Sequence, residues 1–110
     1  MKVYFIGAGP GDPELLTIKA AKVIKKADII VYTGSLVNKD ILKFAKKDAL
    51  FYDSAGMTLE DVLEIFAKVK STDKVVTRIH SGDPSLYGAI QEQMDWCKKQ
   101  GINYEVIPGV

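Results

Sequence analysis

The sequence predicts an α/β domain built on a mainly parallel sheet of about five strands, with helices on both faces. Short apolar runs rich in β-branched residues alternate with longer stretches whose apolar residues recur at helical spacing. Loops rich in glycine and small hydroxyl residues follow these runs. Because strands that alternate with helices pair in parallel, all strand-to-helix loops are expected at one edge of the sheet.

Composition restricts the class of protein further. The chain has 110 residues, 47% of them hydrophobic and 26% charged, and a formal net charge of +1. It is long enough for one domain with its own core. The charge balance does not suggest a nucleic-acid groove, and no apolar run of about 18 residues suggests a membrane span. The single cysteine, Cys97, cannot form an internal disulfide, and we expect a cytoplasmic protein.

The first unit is a strand, a glycine-rich loop and a helix. Residues 2–6 form an apolar, β-branched and aromatic run that is typical of a buried strand. The loop at residues 7–13 contains three glycines and two prolines, and residues 14–26 place apolar side chains on one helical face with lysines on the other. This succession predicts the opening of a βαβ unit.

The second and third units repeat this pattern in shorter form. Residues 28–32 predict a strand, and Asn38 can cap the short helix that follows. Residues 49–52 predict a weaker strand. Thr58 can cap the next helix, whose apolar residues form one stripe up to Val69.

The last unit completes the sheet. Residues 74–80 predict the fourth strand, and Pro84 suits the first turn of a helix because its missing NH would have no partner there. That helix is expected to run to about Gln100 and to end at Gly101. Residues 102–107 predict the fifth strand.

Four loops are therefore expected to meet at the carboxyl edge of the sheet, where open α/β folds bind small molecules. They are residues 7–13, 33–35, 53–56 and 81–87. Glycines and small hydroxyl residues are concentrated in them. A pocket walled by backbone carbonyls would suit a cationic or amine-bearing ligand.

The first loop does not fit a dinucleotide site. Its glycines, Gly7, Gly9 and Gly11, lack the spacing of the dinucleotide fingerprint, and Asp12 would oppose a pyrophosphate. The second strand ends at Tyr32, without the acidic residue that holds a ribose hydroxyl. No Gly-Lys-Ser or Gly-Lys-Thr occurs, which excludes a Walker loop.

The fourth loop carries the residues with the most chemistry, and each has two interpretations. His80 could act as a general base, or it could be a histidine at a strand end whose hydrogen bonds are made by the loop backbone. It cannot readily reach Ser81, because neighbouring residues on a strand point to opposite faces. Asp83 could cap a helix or bind a ligand, and Tyr87 could pack on a ligand or in the core. Cys97 fits a packing role, and one histidine with one cysteine makes a protein metal site improbable.

Two segments, residues 7–17 and 82–88, resemble the tetrapyrrole methylase family, which uses S-adenosylmethionine to methylate carbons of corrin precursors. Residues 31–38, 52–58 and 80–85 are most similar to the branch of the family that acts on precorrin-4 or cobalt-precorrin-4 at ring carbon 11, in cobalamin biosynthesis. Other members usually carry a second glycine before Gly-Asp-Pro, where this chain has His-Ser.

The resemblance implies a longer enzyme. Family members have two α/β domains with the methyl donor in the cleft between them, and they tend to be homodimers. Residues 1–110 would then be the amino-terminal domain of a methyltransferase, without the second domain and inactive alone. Two alternatives remain: a methylase of this family that acts on another corrin precursor, and a non-catalytic binding or assembly module.

The resemblance also assigns site residues by position. Those expected to contact S-adenosylmethionine are Pro10, Gly82, Asp83, Pro84 and Tyr87. Those expected on the side of the tetrapyrrole substrate are Thr33, Gly34, Ser35, Ser54 and His80. The catalytic base is not identified by the sequence; His80 and Tyr32 would be guesses.

Overall fold

The structure, a computed structural model, describes residues 1–8, 12–34, 39–80 and 90–109. Five strands form one sheet in the order β3-β2-β4-β1-β5, and every neighbouring pair is parallel. This confirms the predicted fold class. The strands are β1 (Lys2–Gly7), β2 (Ile29–Tyr32), β3 (Leu50–Asp53), β4 (Val75–His80) and β5 (Asn103–Ile107).

Helices cover both faces of the sheet. One layer contains α1 (Ile18–Lys26) and the 3-10 helix Lys39–Phe44, and the other contains α2 (Leu59–Lys68) and α3 (Gln91–Lys99). A short 3-10 helix, Pro13–Leu15, precedes α1. The helices α1 and α2 each insert an apolar stripe into their layer, while their charged residues face outward.

The alternation of strand side chains divides the core into two clusters. In β1, Val3 and Phe5 pack toward the layer of α2 and α3, and Ile6 packs toward the layer of α1. The central strand β4 follows the same rule, with Val76 on one side and Ile79 on the other. A strand buried on both faces is expected for a parallel sheet covered by helices.

The first helix starts later than the sequence pattern predicts. We expected it from residue 14, but α1 begins at Ile18, because Thr17 is its N-cap and accepts a hydrogen bond from the Ala20 NH at 3.1 Å. The preceding residues form a separate turn in which the Leu15 NH donates to the Asp12 carbonyl at 2.9 Å.

The other helices agree with the prediction where the structure describes them. Thr58 caps α2 in a capping box, with reciprocal bonds to Asp61 at 3.2 and 3.0 Å. The helix predicted after Asn38 is a 3-10 helix, and Asn38 itself lies outside the described residues. The start predicted at Pro84 also lies outside them, whereas α3 ends at Lys99, close to the predicted end.

Cys97 has the packing role that the sequence indicates. It is fully buried on the inner face of α3, and burial raises the pKa of its thiol to about 11. The thiol therefore stays protonated and unreactive at neutral pH.

Candidate functional site

The carboxyl ends of β1 and β4 lie side by side. Gly7 pairs with His80 in the sheet register, and the Ala8 NH donates to the His80 carbonyl at 2.7 Å. The first and fourth loops, which carry the two motifs of the methylase family, therefore begin at adjacent strand ends. Both loops continue into residues outside the described ranges.

The ends of β2 and β3 form a second pair, joined by the carboxylate of Asp53. One oxygen, Oδ1, accepts hydrogen bonds from the Gly34 NH and the Ala55 NH, each at 2.9 Å. These two backbone donors, with Ala55 the larger contributor, lower the pKa of Asp53 below its ordinary value. The ionised carboxylate thus fixes the loop after β2 against the loop after β3.

Hydroxyl groups of the same two loops are also hydrogen-bonded. Ser54 is 8% exposed, and its Oγ donates to the Tyr32 carbonyl at 3.1 Å. The hydroxyls of Ser54 and Thr33 lie 3.2 Å apart, within hydrogen-bonding distance. The Ser54 NH also donates to the Tyr32 carbonyl at 2.7 Å. The second and third loops consequently form one polar, hydrogen-bonded surface.

His80 ends the central strand as a buried side chain. It is 9% exposed, and its Nε2 has no hydrogen-bond partner within the described ranges. Burial, with the nearby charge of Arg78 as a smaller cause, lowers the pKa of His80 to about 3. The imidazole is therefore neutral at physiological pH and can offer a hydrogen bond, but it does not supply positive charge to the site.

Arg78 is a polar residue at this edge that sequence reasoning missed. It lies two residues before His80 on β4 and is 7% exposed, and burial lowers the pKa of its guanidinium to about 10. Its Nε and Nη1 have no hydrogen-bond partner in the part of the chain that the structure describes. A signal existed in the sequence, because a charged residue in the middle of a strand buried on both faces is unusual.

The structure brings together some of the predicted site residues. Thr33, Gly34 and Ser54 lie on one surface, and His80 ends β4, the strand that neighbours β2. The remaining predicted residues lie outside the described ranges: Pro10, Ser35, Gly82, Asp83, Pro84 and Tyr87.

The described residues show neither a metal site nor a membrane-spanning helix. Residues 1–8, 12–34, 39–80 and 90–109 contain no group of three or more His, Cys, Asp or Glu side chains placed to hold a metal ion. Within the same ranges, no helix has the length and apolar character needed to cross a membrane.

An all-parallel sheet with helices on both faces and polar loops at its carboxyl edge defines the chain as an α/β domain of the open-sheet class, in which small molecules bind at this edge. The sequence matches the tetrapyrrole (corrin/porphyrin) methylases over residues 2–110. The chain therefore belongs to this family, and the resemblance found in its two motifs is confirmed.

Relatives of known name share much of the sequence. The chain is 54% identical over 109 residues to the cobalt-precorrin-4 C(11)-methyltransferase of Methanocaldococcus jannaschii, with 99% of this chain and 42% of the relative covered. It is 46% identical over 110 residues to the precorrin-4 C(11)-methyltransferase of Pseudomonas aeruginosa, with 100% of this chain and 44% of the relative covered.

Solved structures show the same fold. A cobalt precorrin-4 methyltransferase superimposes with a TM-score of 0.93 at 44% identity, covering 99% of this chain and 46% of that one. The uroporphyrin-III C-methyltransferase of Thermus thermophilus, complexed with S-adenosyl homocysteine, superimposes with a TM-score of 0.80 at 33% identity, covering 100% of this chain and 45% of that one. The chain spans less than half the length of each of these proteins.

Proposed function

We propose that this chain is the amino-terminal domain of an S-adenosylmethionine-dependent methyltransferase that methylates a precorrin-4-type tetrapyrrole in cobalamin biosynthesis. The observation that carries the proposal is the 54% identity to the M. jannaschii cobalt-precorrin-4 C(11)-methyltransferase across 99% of the chain. The share of that relative covered, 42%, supports a second domain in the full-length protein.

The pairing of the strand ends supports the proposal that the carboxyl edge of the sheet has a methyl-donor side and a substrate side. The loops that begin after Gly7 and His80 carry the residues proposed to hold the methyl donor: Pro10, Gly82, Asp83, Pro84 and Tyr87. The surface formed by Thr33, Gly34 and Ser54 is proposed to face the tetrapyrrole. Since β2 and β4 are neighbours, the two sides meet between them.

The described residues suit a positioning role. When bound, S-adenosylmethionine supplies a methyl group on a sulfonium that a nucleophilic ring carbon can attack directly. The chain must hold that carbon in line with the donor, and such alignment can lower a barrier by roughly 7 to 11 kcal/mol. Asp53 stabilises the substrate-side loops through its two backbone donors, and the neutral His80 can orient a polar group without adding charge.

Binding of the product S-adenosylhomocysteine tests the donor side. In the full-length protein, calorimetric titration is expected to show binding that Asp83→Ala weakens at least tenfold, about 1.4 kcal/mol. An Asp83→Ala variant that folds and keeps the wild-type affinity would leave Asp83 as a helix cap alone.

The identity of the tetrapyrrole is a second question. A uroporphyrin-III C-methyltransferase shares the fold at 33% identity, so a different tetrapyrrole is the alternative substrate. Mass spectrometry of the products from precorrin-4, cobalt-precorrin-4 and uroporphyrinogen-III would separate these. Absence of methyl transfer to all three, with S-adenosylmethionine bound, would favour a binding or assembly module. The homodimer stays a prediction that sedimentation of the full-length protein would test.

A further inference from the structure

A cleft of about 270 Å³ lies beside the substrate-side surface, over the carboxyl end of β4. Its walls come from Ser54, which directly follows β3, from Thr58 at the start of α2, from Glu92 and Gln93 in the first turn of α3, and from Arg78 of β4. We refer to it as the helix-start cleft. Ser54 belongs both to this cleft and to the surface proposed to face the tetrapyrrole.

Arg78 brings a positive charge to the cleft that no ion pair among the described residues balances. The ion pairs in the described part of the chain are Lys19–Glu105, Lys43–Asp40 and Lys46–Asp28, and Arg78 takes part in none of them. Its Nε and Nη1 are enclosed without a partner among the described residues. A buried charge is costly unless it is paired, so the guanidinium calls for an anion.

The start of α2 adds to the attraction for an anion. Thr58 and Leu59, at the amino-terminal end of α2, line the cleft, and the partial positive charge of a helix amino terminus favours negative groups. Asp61 already accepts the NH of Thr58, so this charge is partly neutralised.

Charge balance indicates which anion fits. The exposed carboxylate of Glu92 also lines the cleft and repels any anion bound beside Arg78. A doubly charged phosphate would meet that repulsion at full strength, whereas a singly charged carboxylate matches one guanidinium. The hydroxyl of Thr58, which accepts the Asp61 NH, can still donate its proton and provides a neutral hydrogen-bond donor at this wall.

We propose that the helix-start cleft binds a carboxylate side chain of the tetrapyrrole substrate, with Arg78 as its charge partner. The carboxylate site is inferred from the cleft itself, and the choice of the substrate as its source rests on the proposed function. The shared Ser54 favours the substrate over the other available carboxylate, that of the methyl donor, because Ser54 lies on the substrate-side surface.

The first arm of the test is independent of the proposed function. Thermal unfolding of the full-length protein is measured in sodium acetate and in sodium chloride of the same ionic strength. Acetate is expected to raise the midpoint by roughly 2 °C in the wild type and in Lys19→Met, which removes an exposed cation, and to have no such effect in Arg78→Lys or Arg78→Met. An equal acetate effect in the wild type and the Arg78 variants, or no effect in any of them, would overturn the carboxylate site.

The second arm identifies the source of the carboxylate. Uroporphyrin, which carries acetate and propionate side chains, and S-adenosylhomocysteine are titrated into the same variants. Arg78→Lys is expected to bind uroporphyrin at least tenfold more weakly and S-adenosylhomocysteine as the wild type does, because lysine keeps the charge but loses the guanidinium geometry. The reverse result would overturn the substrate assignment in favour of the donor. A wild type that binds neither ligand would refute the proposed function, while the acetate arm still decides the carboxylate site. If Arg78→Met does not fold, Arg78→Lys alone is used in both arms of the test.

Discussion

The backbone NH of Gly34 lies 2.9 Å from Oδ1 of Asp53, and this bond joins the loops that leave two neighbouring strands. The same oxygen accepts the NH of Ala55, so a single carboxylate oxygen holds both loops. Hydrogen bonds to an ionised carboxylate are stronger than those to a neutral acceptor, and this carboxylate is fixed at the end of a strand. The bond therefore holds the proposed substrate-side surface in one conformation.

Removal of the carboxylate is expected to loosen both loops. In Asp53→Ala the NH groups of Gly34 and Ala55 lose their acceptor, so their amide hydrogen exchange should accelerate roughly tenfold while that of the central strand stays unchanged. The matched control is Asp73→Ala, which removes an exposed carboxylate just before β4, at the opposite edge of the sheet. Equal exchange in Asp53→Ala and the wild type would show that the carboxylate does not hold these loops.

A side chain at Gly34 should have a related effect through steric conflict. A Cβ at this position would lie 2.2 Å from Oδ2 of Asp53, closer than atoms in contact allow, so Gly34→Ala must displace the carboxylate. We expect Gly34→Ala to destabilise the full-length protein by about 1 kcal/mol. In an Asp53→Ala background the same substitution should cost much less, because the atom in conflict is gone. Additive effects in denaturant unfolding of the single and double variants would contradict this contact.

Burial of His80 predicts a dependence of stability on pH. Its pKa is about 3 in the folded protein and 6.5 ordinarily, so between these values the unfolded chain binds the extra proton. The stability that the neutral imidazole contributes is therefore fully present above pH 6.5 and is lost as pH falls below it, by up to about 1.4 kcal/mol per pH unit.

Unfolding of the full-length protein at pH 7 and pH 5 measures this effect. The wild type should lose more stability between these values than His80→Gln, whose side chain does not titrate. The difference between the two proteins isolates His80 from every other group. The same loss in both would mean that His80 is not held neutral in the folded state.

The N-cap of α2 gives a prediction for local stability. Thr58 accepts the Asp61 NH at 3.2 Å, and its removal in Thr58→Ala should lower the free energy of unfolding by about 1 kcal/mol. Thr58→Ser keeps the hydroxyl, so its free energy of unfolding should fall by only a small part of this amount. A loss as large in Thr58→Ser as in Thr58→Ala would place the effect in the lost methyl group rather than in the cap.

The sequence predicted the fold because local patterns and tertiary packing agree in this chain. Apolar runs alternate with helical stripes, and the cap at Thr58 stands directly before its stripe. The start of α1 was predicted wrongly because Leu16, in the separate turn before the helix, fits the apolar spacing of the stripe, while the cap at Thr17 was overlooked.

The site was harder to predict, because its geometry depends on which strands are neighbours. The bond from Gly34 to Asp53 spans 19 positions and exists only because β2 pairs with β3. The burial of Arg78 was not predicted either, since charged residues are ordinarily assigned to the surface and only the central place of β4 encloses it.

Transfer of a labelled methyl group shows directly whether the full-length protein methylates a precorrin-4-type tetrapyrrole at ring carbon 11. The full-length protein is incubated with S-adenosylmethionine that carries ¹³C in its sulfonium methyl group and with precorrin-4 or cobalt-precorrin-4, and the product is examined by NMR. We expect one labelled methyl group, bonded to ring carbon 11. A labelled methyl group at another ring carbon, or an unlabelled tetrapyrrole recovered from protein that binds both ligands, would contradict this expectation.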